Sequence, residues 1–515
     1  MIRKISFGIM LVGAAIVGLA GCPSSFVVCE EGPCGADGSS DRISTPDSDP
    51  RDVSGDATKP DVDPPPPDCL TPTEPLKNPE KCLVDAFGIF VSPTGDDAND
   101  GTKAKPVKTI GKALGTPRGR IVVCEGTYPE TLDIQRDVEI YGGISCTFTT
   151  AGKPASIESG KPVGLTVSRG TVLLTSLNVT AVNGATAGES SVGIVAASGT
   201  TLRIVGGAIV AGMGADGAAG AEESNYNAGL LNSDPTIKGR DASGNTPGAT
   251  QTCGGLCTEA PSVVVEGGGG GVGGPAGGGP GADGKTTVAA PVGMRGKGGP
   301  YDILNGVCGA GFPGNIGDAA NGGPGASAPG TVEAGKWTAS RGGAGQTARP
   351  GQGGGGGSGG ASATVGGGGG GGCGGCGGAK AQGGQSGGSS FAVLSLGATL
   401  SLENVTLTAA SGGKGGDGGA GQVGQAGGAP GAPASLGVGC PGGVGGIGGQ
   451  GGGGGGGAGG HSAAIAYTGT KPTLKSITPQ VAPAAATGGG PGATGATATP
   501  ATAGAPGKTS ADLAL

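Results

Sequence analysis

The chain has 515 residues, of which 126 are Gly and 38 Pro, while Trp, Tyr and Phe number 1, 5 and 7 and there is a single His. So little apolar side-chain surface, set against so much backbone entropy, excludes one compact core running through the whole chain. The formal charge is −7; the first 22 residues carry +2 and residues 23–68 carry −8, so the remainder stands near −1 and has no positive field to steer nucleic acid.

The N-terminus reads as an export signal: Arg3-Lys4, an apolar run from Ile5 to Leu19, then the small residues Ala20 and Gly21. Leu19-Ala20-Gly21-Cys22 resembles the lipobox of bacterial lipoproteins, in which cleavage precedes the Cys and its thiol and new amine are acylated. The resemblance implies a signal peptide at 1–21, lipidation of Cys22 and a lipid membrane as partner. With Pro23 rather than Asp next, it implies the outer membrane or cell surface as destination. At roughly 0.8 kcal/mol per buried methylene, two or three acyl chains anchor a protein stably. An ordinary signal peptide with a chance Cys is the alternative, and no other segment is apolar enough to span a bilayer.

Residues 22–85 read as an acidic, Pro-rich tether that ends near Asp63-Pro64-Pro65-Pro66-Pro67-Asp68. Low hydrophobicity and self-repulsion predict a disordered stalk, with cation binding as the other reading. Export makes disulfides the default for the 12 cysteines beyond Cys22. Local pairs are expected as Cys29/Cys34, Cys69/Cys82, Cys124/Cys146, Cys253/Cys257 and Cys373/Cys376, which leaves Cys308 and Cys440 to clamp two distant Gly-rich segments. Four thiolates on zinc, or a redox-active Cys373/Cys376, are the alternatives at those two motifs.

From Ala86 the pattern changes. Gly88-Ile89-Phe90-Val91, an Asp/Asn/Gly turn at Asp96-Asp97-Ala98-Asn99-Asp100-Gly101, an apolar helix face at Val107, Ile110 and Leu114, and Ile121-Val122-Val123 ending in Gly126-Thr127-Tyr128 resemble the opening of pectin-lyase-like right-handed parallel β-helix proteins. The acidic turn reads either as Asx hydrogen bonding or as a Ca²⁺ loop without EF-hand order. A repeat supports the solenoid independently: Val163 to Thr180 aligns with Val192 to Val210 at an offset of 29, and further copies begin at Phe391 and Ala464. The expected fold is therefore all-β, a right-handed parallel β-helix. Its cap and first coils fall at 86–210, a coil at 391–410 and a last coil at 461–480.

Gly-rich insertions occupy 211–390 and 411–460, and an Ala/Gly/Thr-rich tail 481–515. The blocks are expected to leave one corner of the solenoid after Ala211, after Val264-Val265 and at Ser411. Gly recurs every third residue from Gly412 to Gly427 and from Gly442 to Gly457, the period of polyproline II. Packed polyproline II hairpins and flexible loops both fit, whereas collagen is disfavoured by sparse Pro. Partial GGxGxD patterns make Asp216, Asp283 and Asp417 weak calcium candidates by resemblance to the RTX nonapeptide, although the copies are isolated.

No catalytic residues or cofactor are assigned. His461 has no visible partner, and Glu139, Arg169, Arg203 and Glu403 do not recur at one rung position. As a whole the chain resembles Gly-rich bacterial surface lipoproteins whose blocks are similar to the PGRS regions of mycobacterial PE-PGRS proteins, without their PE domain. The expected function is a non-catalytic, tethered surface protein for display or adhesion, with an extracellular glycan or protein surface as partner. The alternative is a carbohydrate-active β-helix enzyme or glycan-binding module, which a groove lined by acidic and basic residues would favour.

Overall fold

A computed structural model describes residues 67–258, 265–285 and 295–515. Cys22, Cys29, Cys34 and the tether up to residue 66 lie outside the described residues.

Alternating apolar residues in short Val/Ile/Leu/Thr segments form strands that bury one face. Among the described residues a 3₁₀ turn (Pro67–Leu70) precedes three short α-helices, α1 (Glu74–Lys77), α2 (Pro79–Cys82) and α3 (Ile110–Leu114). The first strands are β1 (Ile89–Val91), β2 (Arg120–Cys124), β3 (Gly126–Tyr128), β4 (Leu132–Ile134), β5 (Val138–Ile144), β6 (Ala155–Glu158), β7 (Val163–Val167), β8 (Thr171–Thr180), β9 (Ser191–Ala196) and β10 (Thr201–Ala211). Two hairpins follow, β11 (Tyr301–Asp302) with β12 (Val307–Cys308), and β13 (Gly330–Glu333) with β14 (Lys336–Ala339). Coils then resume as β15 (Ser390–Leu396), β16 (Thr399–Glu403), β17 (Thr406–Ala409), β18 (Ser462–Thr468), β19 (Thr473–Lys475), β20 (Thr478–Gln480) and β21 (Thr509–Ala514).

Outside the two hairpins every strand pair is parallel. One sheet runs β1-β2-β5-β8-β10-β16-β19, with β3, β6, β17 and β20 attached, and the other runs β21-β18-β15-β9-β7-β4. Register stacks like on like: Ile121, Ile140, Leu174, Ile204, Leu402 and Leu474 form one interior ladder. A second ladder joins Leu165, Ile194, Val393 and Ile465. No single coil could bury these residues, and stacking makes them one core. The chain is a parallel β-helix. The 29-residue offset holds across β7 and β9 and becomes 30 across β8 and β10, because the turn at 197–200 is one residue longer than that at 168–170. A corner that falls within β8 and β10, between β16 and β17 and between β19 and β20 takes a left-handed backbone, and Ser176, Gly206, Asn404 and Ser476 occupy it in successive coils with φ of 50, 72, 54 and 52°.

The first coil is capped, and the last strand of the smaller sheet carries a charge. At the start, Asp97 accepts N–H bonds from Lys108 and Thr109, and the Glu130 carboxylate accepts those of Ile110 and Gly111, so two carboxylates cap α3 over the first coil. Asp96 and Asp100 likewise accept from Ala98 and Thr102, the Asx-turn reading of this loop. At the other end β21 places Asp512 opposite Ile465 and pairs it with Lys471, a charge at an inward position that discourages further strand addition. Residues 67–85, expected in the tether, instead fold over the outer face of the larger sheet. There Leu83 and Phe87 pack on Phe90, Val122, Tyr141 and Phe148.

The described residues of the Gly-rich insertions and the C-terminal tail form a second layer. Their chains hydrogen-bond at every third residue, the repeat of a polyproline II helix. The N–H groups of residues 413, 416, 419, 422, 425, 428, 431 and 434 bond the carbonyls of 388, 385, 382, 379, 376, 373, 370 and 367 in an antiparallel ladder. Residues 372, 375, 378, 381, 384 and 387 donate to 443, 446, 449, 452, 455 and 458 in a parallel one. The segment 366–388 is surrounded: it donates to 215–244, 265–271 and 440–458, and it accepts from 248, 342–357 and 413–434. Contact is backbone on backbone. A Cβ on Gly371 would stand 1.9 Å from the Gly354 carbonyl oxygen, and one on Gly448 1.9 Å from that of Cys376.

Three sequence expectations change here. Cys253 pairs with Cys373 and Cys257 with Cys376, rather than each motif closing on itself, because the two motifs lie on facing chains of the bundle. Val265 packs with Ile237, Cys253 and Cys373 in the bundle and not at the end of a coil, while Val264 lies outside the described residues. The tail 481–515 supplies two further bundle chains and the last strand β21. The remaining disulfides are Cys69–Cys82, Cys124–Cys146 and Cys308–Cys440.

Candidate functional site

A cleft of about 670 Å³ opens on the outer face of the larger sheet, lined by Phe87, Arg118, Arg120, Asp137, Glu139 and Arg203 among others. Strand alternation explains the lining: Glu139, Leu173 and Arg203 lie in one outward ladder beside the inward Ile140, Leu174 and Ile204. The charges are largely taken up by the fold. Glu139 accepts from Arg120 Nε at 2.8 Å and from the Tyr141 hydroxyl at 2.9 Å, and burial together with that carboxylate pushes the Tyr141 hydroxyl pKa up. Arg120 also lies over the Phe87 ring at 5.3 Å. Asp137 accepts the Thr171 N–H at 2.7 Å, Arg118 donates to the Asp85 carbonyl at 2.7 Å, and Arg203 meets Glu403 at 3.5 Å. Both acids of this cleft hold donors of the protein.

The calcium candidates do the same work for the bundle. Asp216 accepts the Lys414 N–H at 2.7 Å, Asp417 accepts the Gly490 N–H, and Asp283 holds Lys297 and the Gly298 N–H. Each carboxylate satisfies a donor of the neighbouring chain, and no group of three or more His, Cys, Asp or Glu side chains suited to a metal occurs among the described residues. Hydrogen bonds to Lys297 and Gly298 hold the Asp283 carboxyl below the usual range.

His461 is buried where the bundle meets β18. Its Nδ1 accepts the Lys508 N–H at 3.0 Å, and its ring lies 6.4 Å from that of Trp337, which in turn stands edge-on to Phe391. Burial, with a smaller contribution from Lys508, pushes the imidazole pKa down to about 4. The folded protein therefore takes up the His461 proton less readily than the unfolded chain, and its contribution is full above pH ~6.5 and lost between there and about 4, roughly 3 kcal/mol in all. Melting temperatures of the wild type should fall more steeply from pH 6.5 to 4.5 than those of His461→Gln; identical slopes would show that His461 does not govern this window. The carboxylates with lowered pKa act below that range.

The sequence reading did not foresee the far end of the bundle. Five turns meet there, at 243–246, 272–277, 300–309, 360–366 and 432–440. Asn245 Nδ2 donates to the Ala363 carbonyl and its Oδ1 accepts the Gly366 N–H, Ser362 N–H bonds Gly274, Ala434 N–H bonds Gly367, and Cys308–Cys440 ties the hairpin β11–β12 to the last turn. The chains enter the bundle beside the β-helix near residues 388, 413 and 460, so the 21 residues from Gly388 to Gly367 place this end about 65 Å away at ~3.1 Å per residue. Large aliphatic side chains stand exposed on the turns, Leu304 at 95%, Leu436 at 85% and Ile303 at 83%, with Val272, Val307 and Val365 beside them.

These features define a disulfide-braced parallel β-helix bearing a polyproline II bundle, and its five described disulfides fit an oxidising, extracytoplasmic compartment. Among the described residues no helix is long and apolar enough to cross a membrane. Residues 93–246 match a family described as a protein of unknown function, DUF1565, which is of parallel β-helix type. A stretch of 52 residues is 44% identical to the uncharacterized protein YwoF of Bacillus subtilis (strain 168); it covers 9% of this chain and 10% of that protein. No solved structure matches.

Proposed function

We propose that the protein is a non-catalytic, lipid-anchored surface protein. Cys22 holds it at a membrane, the acidic segment serves as a tether, and the β-helix carries the bundle for display or adhesion. The observation that carries this reading is the solid packing of the bundle: its chains touch backbone to backbone, so about 65 Å of structure builds reach and not an enclosure. Its outward positions support the same reading, since they hold aliphatic residues such as Val423, Val444 and Ile447. The test is Cys22→Ser with membrane fractionation and mass analysis of the mature N-terminus. The expected result is a wild-type protein acylated at Cys22 and pelleting with membranes, and a variant almost entirely released. A variant that stays bound, with an unmodified wild type, would remove the anchor from the proposal. The charge-lined cleft favours a glycan-binding module as a second reading, with Phe87 and Arg203 at its wall.

A further inference from the structure

At the end of the bundle remote from the β-helix several polar side chains are turned onto the turns themselves. Asp302 is the only charged residue in the five turns. Its carboxylate accepts the N–H groups of Leu304 and Asn305 at 3.0 and 3.2 Å and the Asn305 side-chain amide at 2.7 Å. The Asn245 amide is consumed by Ala363 and Gly366, and the Ser362 hydroxyl accepts from Thr364 and Val365. These polar side chains face the backbone of the turns, while Val272, Ile303, Leu304, Val307, Val365 and Leu436 face outward. Soluble surfaces rarely gather aliphatic groups in this way without a contact to make. The Cys308–Cys440 bridge and the turn-to-turn hydrogen bonds hold the array in place, so little ordering entropy remains to be lost on contact.

We propose that this tip inserts its aliphatic side chains into the interface of a lipid bilayer. The proposal rests on the tethered-surface reading above and supplies its partner. Charge selects the occupant. With no Lys or Arg in the turns the tip has nothing to offer an anionic headgroup, and beside the engaged Asn245 amide and Asp302 carboxylate its polar side chains are hydroxyls such as those of Thr246, Tyr301, Thr364 and Ser435, which an uncharged headgroup layer can hydrogen-bond. A set of uncharged aliphatic side chains on five turns needs only a non-directional apolar phase, which an acyl-chain interface is.

The test uses the mature chain from residue 23, which carries neither the apolar run Ile5–Leu19 nor an acyl group, so that vesicle binding reports on the tip whatever becomes of the anchor. Sedimentation with phosphatidylcholine vesicles should pull the protein down, and adding phosphatidylglycerol should not improve it. Leu304→Asp with Leu436→Asp should weaken partitioning about tenfold or more, and Ile447→Asp on the flank of the bundle should leave it within about twofold. Retained disulfides and unchanged protease resistance show that each variant is folded, and Leu304→Ser with Leu436→Ser gives a milder check of the same sign. Absence of binding to phosphatidylcholine, binding only with phosphatidylglycerol, or equal loss from Ile447→Asp overturns the proposal. So does loss of cell attachment by the tip variants without loss of vesicle binding, which would point to a protein partner. Failure of the anchor is read separately, from fractionation of the wild type.

Discussion

Replacing Gly448 or Gly371 with alanine takes the bundle apart and leaves the β-helix standing. At each position the new Cβ would lie 1.9 Å from a carbonyl oxygen of a neighbouring chain, and both sides of the contact are buried backbone with no rotamer to yield. The chains can only separate, and separation breaks ladders on more than one side, because 366–388 and 442–460 each bond to several neighbours. A loss of about 4 kcal/mol or more is expected for the bundle. Val444→Ser and Ile447→Ser, at outward positions of the same chain, should change stability by only about 0.5 kcal/mol or less. A substitution scan through 442–450 followed by limited proteolysis should therefore show tolerance at every third residue, 444, 447 and 450, and intolerance at the other two. Equal tolerance at all three positions of the triplet would mean that the chains do not pack as described.

The same logic explains what the sequence revealed and what it hid. Alternating Val, Ile, Leu and Thr exposed the coils, because a strand needs period two and the stacking of one coil on the next repeats it; the ladder from Ile121 to Leu474 is the physical form of that pattern. The triplet Gly at 415, 418, 421, 424 and 427 was equally visible, and a Cβ at each would strike the chain 442–460. Less visible was the reason that some runs lack any triplet. Gly366–Gly372 is continuous Gly because the chain there has neighbours on every side, so no position is free to carry a side chain. In 442–460 the change from Val444, Ile447 and Gln450 to Gly453, Gly456 and Gly459 marks where the C-terminal tail begins to cover the same face.

The pairing of Cys253 and Cys257 escaped the sequence for a related reason. Short spacing favours local bridges when nothing else is known, but a polyproline II chain advances about 3.1 Å per residue with three residues per turn, so residues three apart fall on one face. Cys373 and Cys376 are such a pair and look together at the chain that carries Cys253 and Cys257. The tip was hidden because its aliphatic residues come from five turns far apart in sequence. Each alone is an unremarkable exposed Val or Leu.

Reduction should loosen the bundle before it touches the coils. The bundle has almost no hydrophobic core beyond two small clusters, in which the disulfide sulfurs of Cys253, Cys257, Cys373 and Cys376 pack with Ile237, Val265 and Tyr226. Its three bridges span 120, 119 and 132 residues. In the chain-entropy account, loops of that length each restrict the unfolded chain by nearly 5 kcal/mol, and even the smaller values commonly measured, about 2–4 kcal/mol, are large beside the stability of a domain. The coils lose the Cys124–Cys146 bridge, which closes a much shorter loop, but keep a continuous stack of buried Val, Ile and Leu that no reductant affects. Trypsin should accordingly cut at Arg341, Arg349 and Lys414 many times faster under reducing conditions, while the segment from β1 to β10 stays resistant. Rates unchanged by reductant would assign the bundle's persistence to its hydrogen-bond lattice alone, and loss of the coils at the same reductant concentration would mean that bundle and β-helix unfold as one cooperative unit.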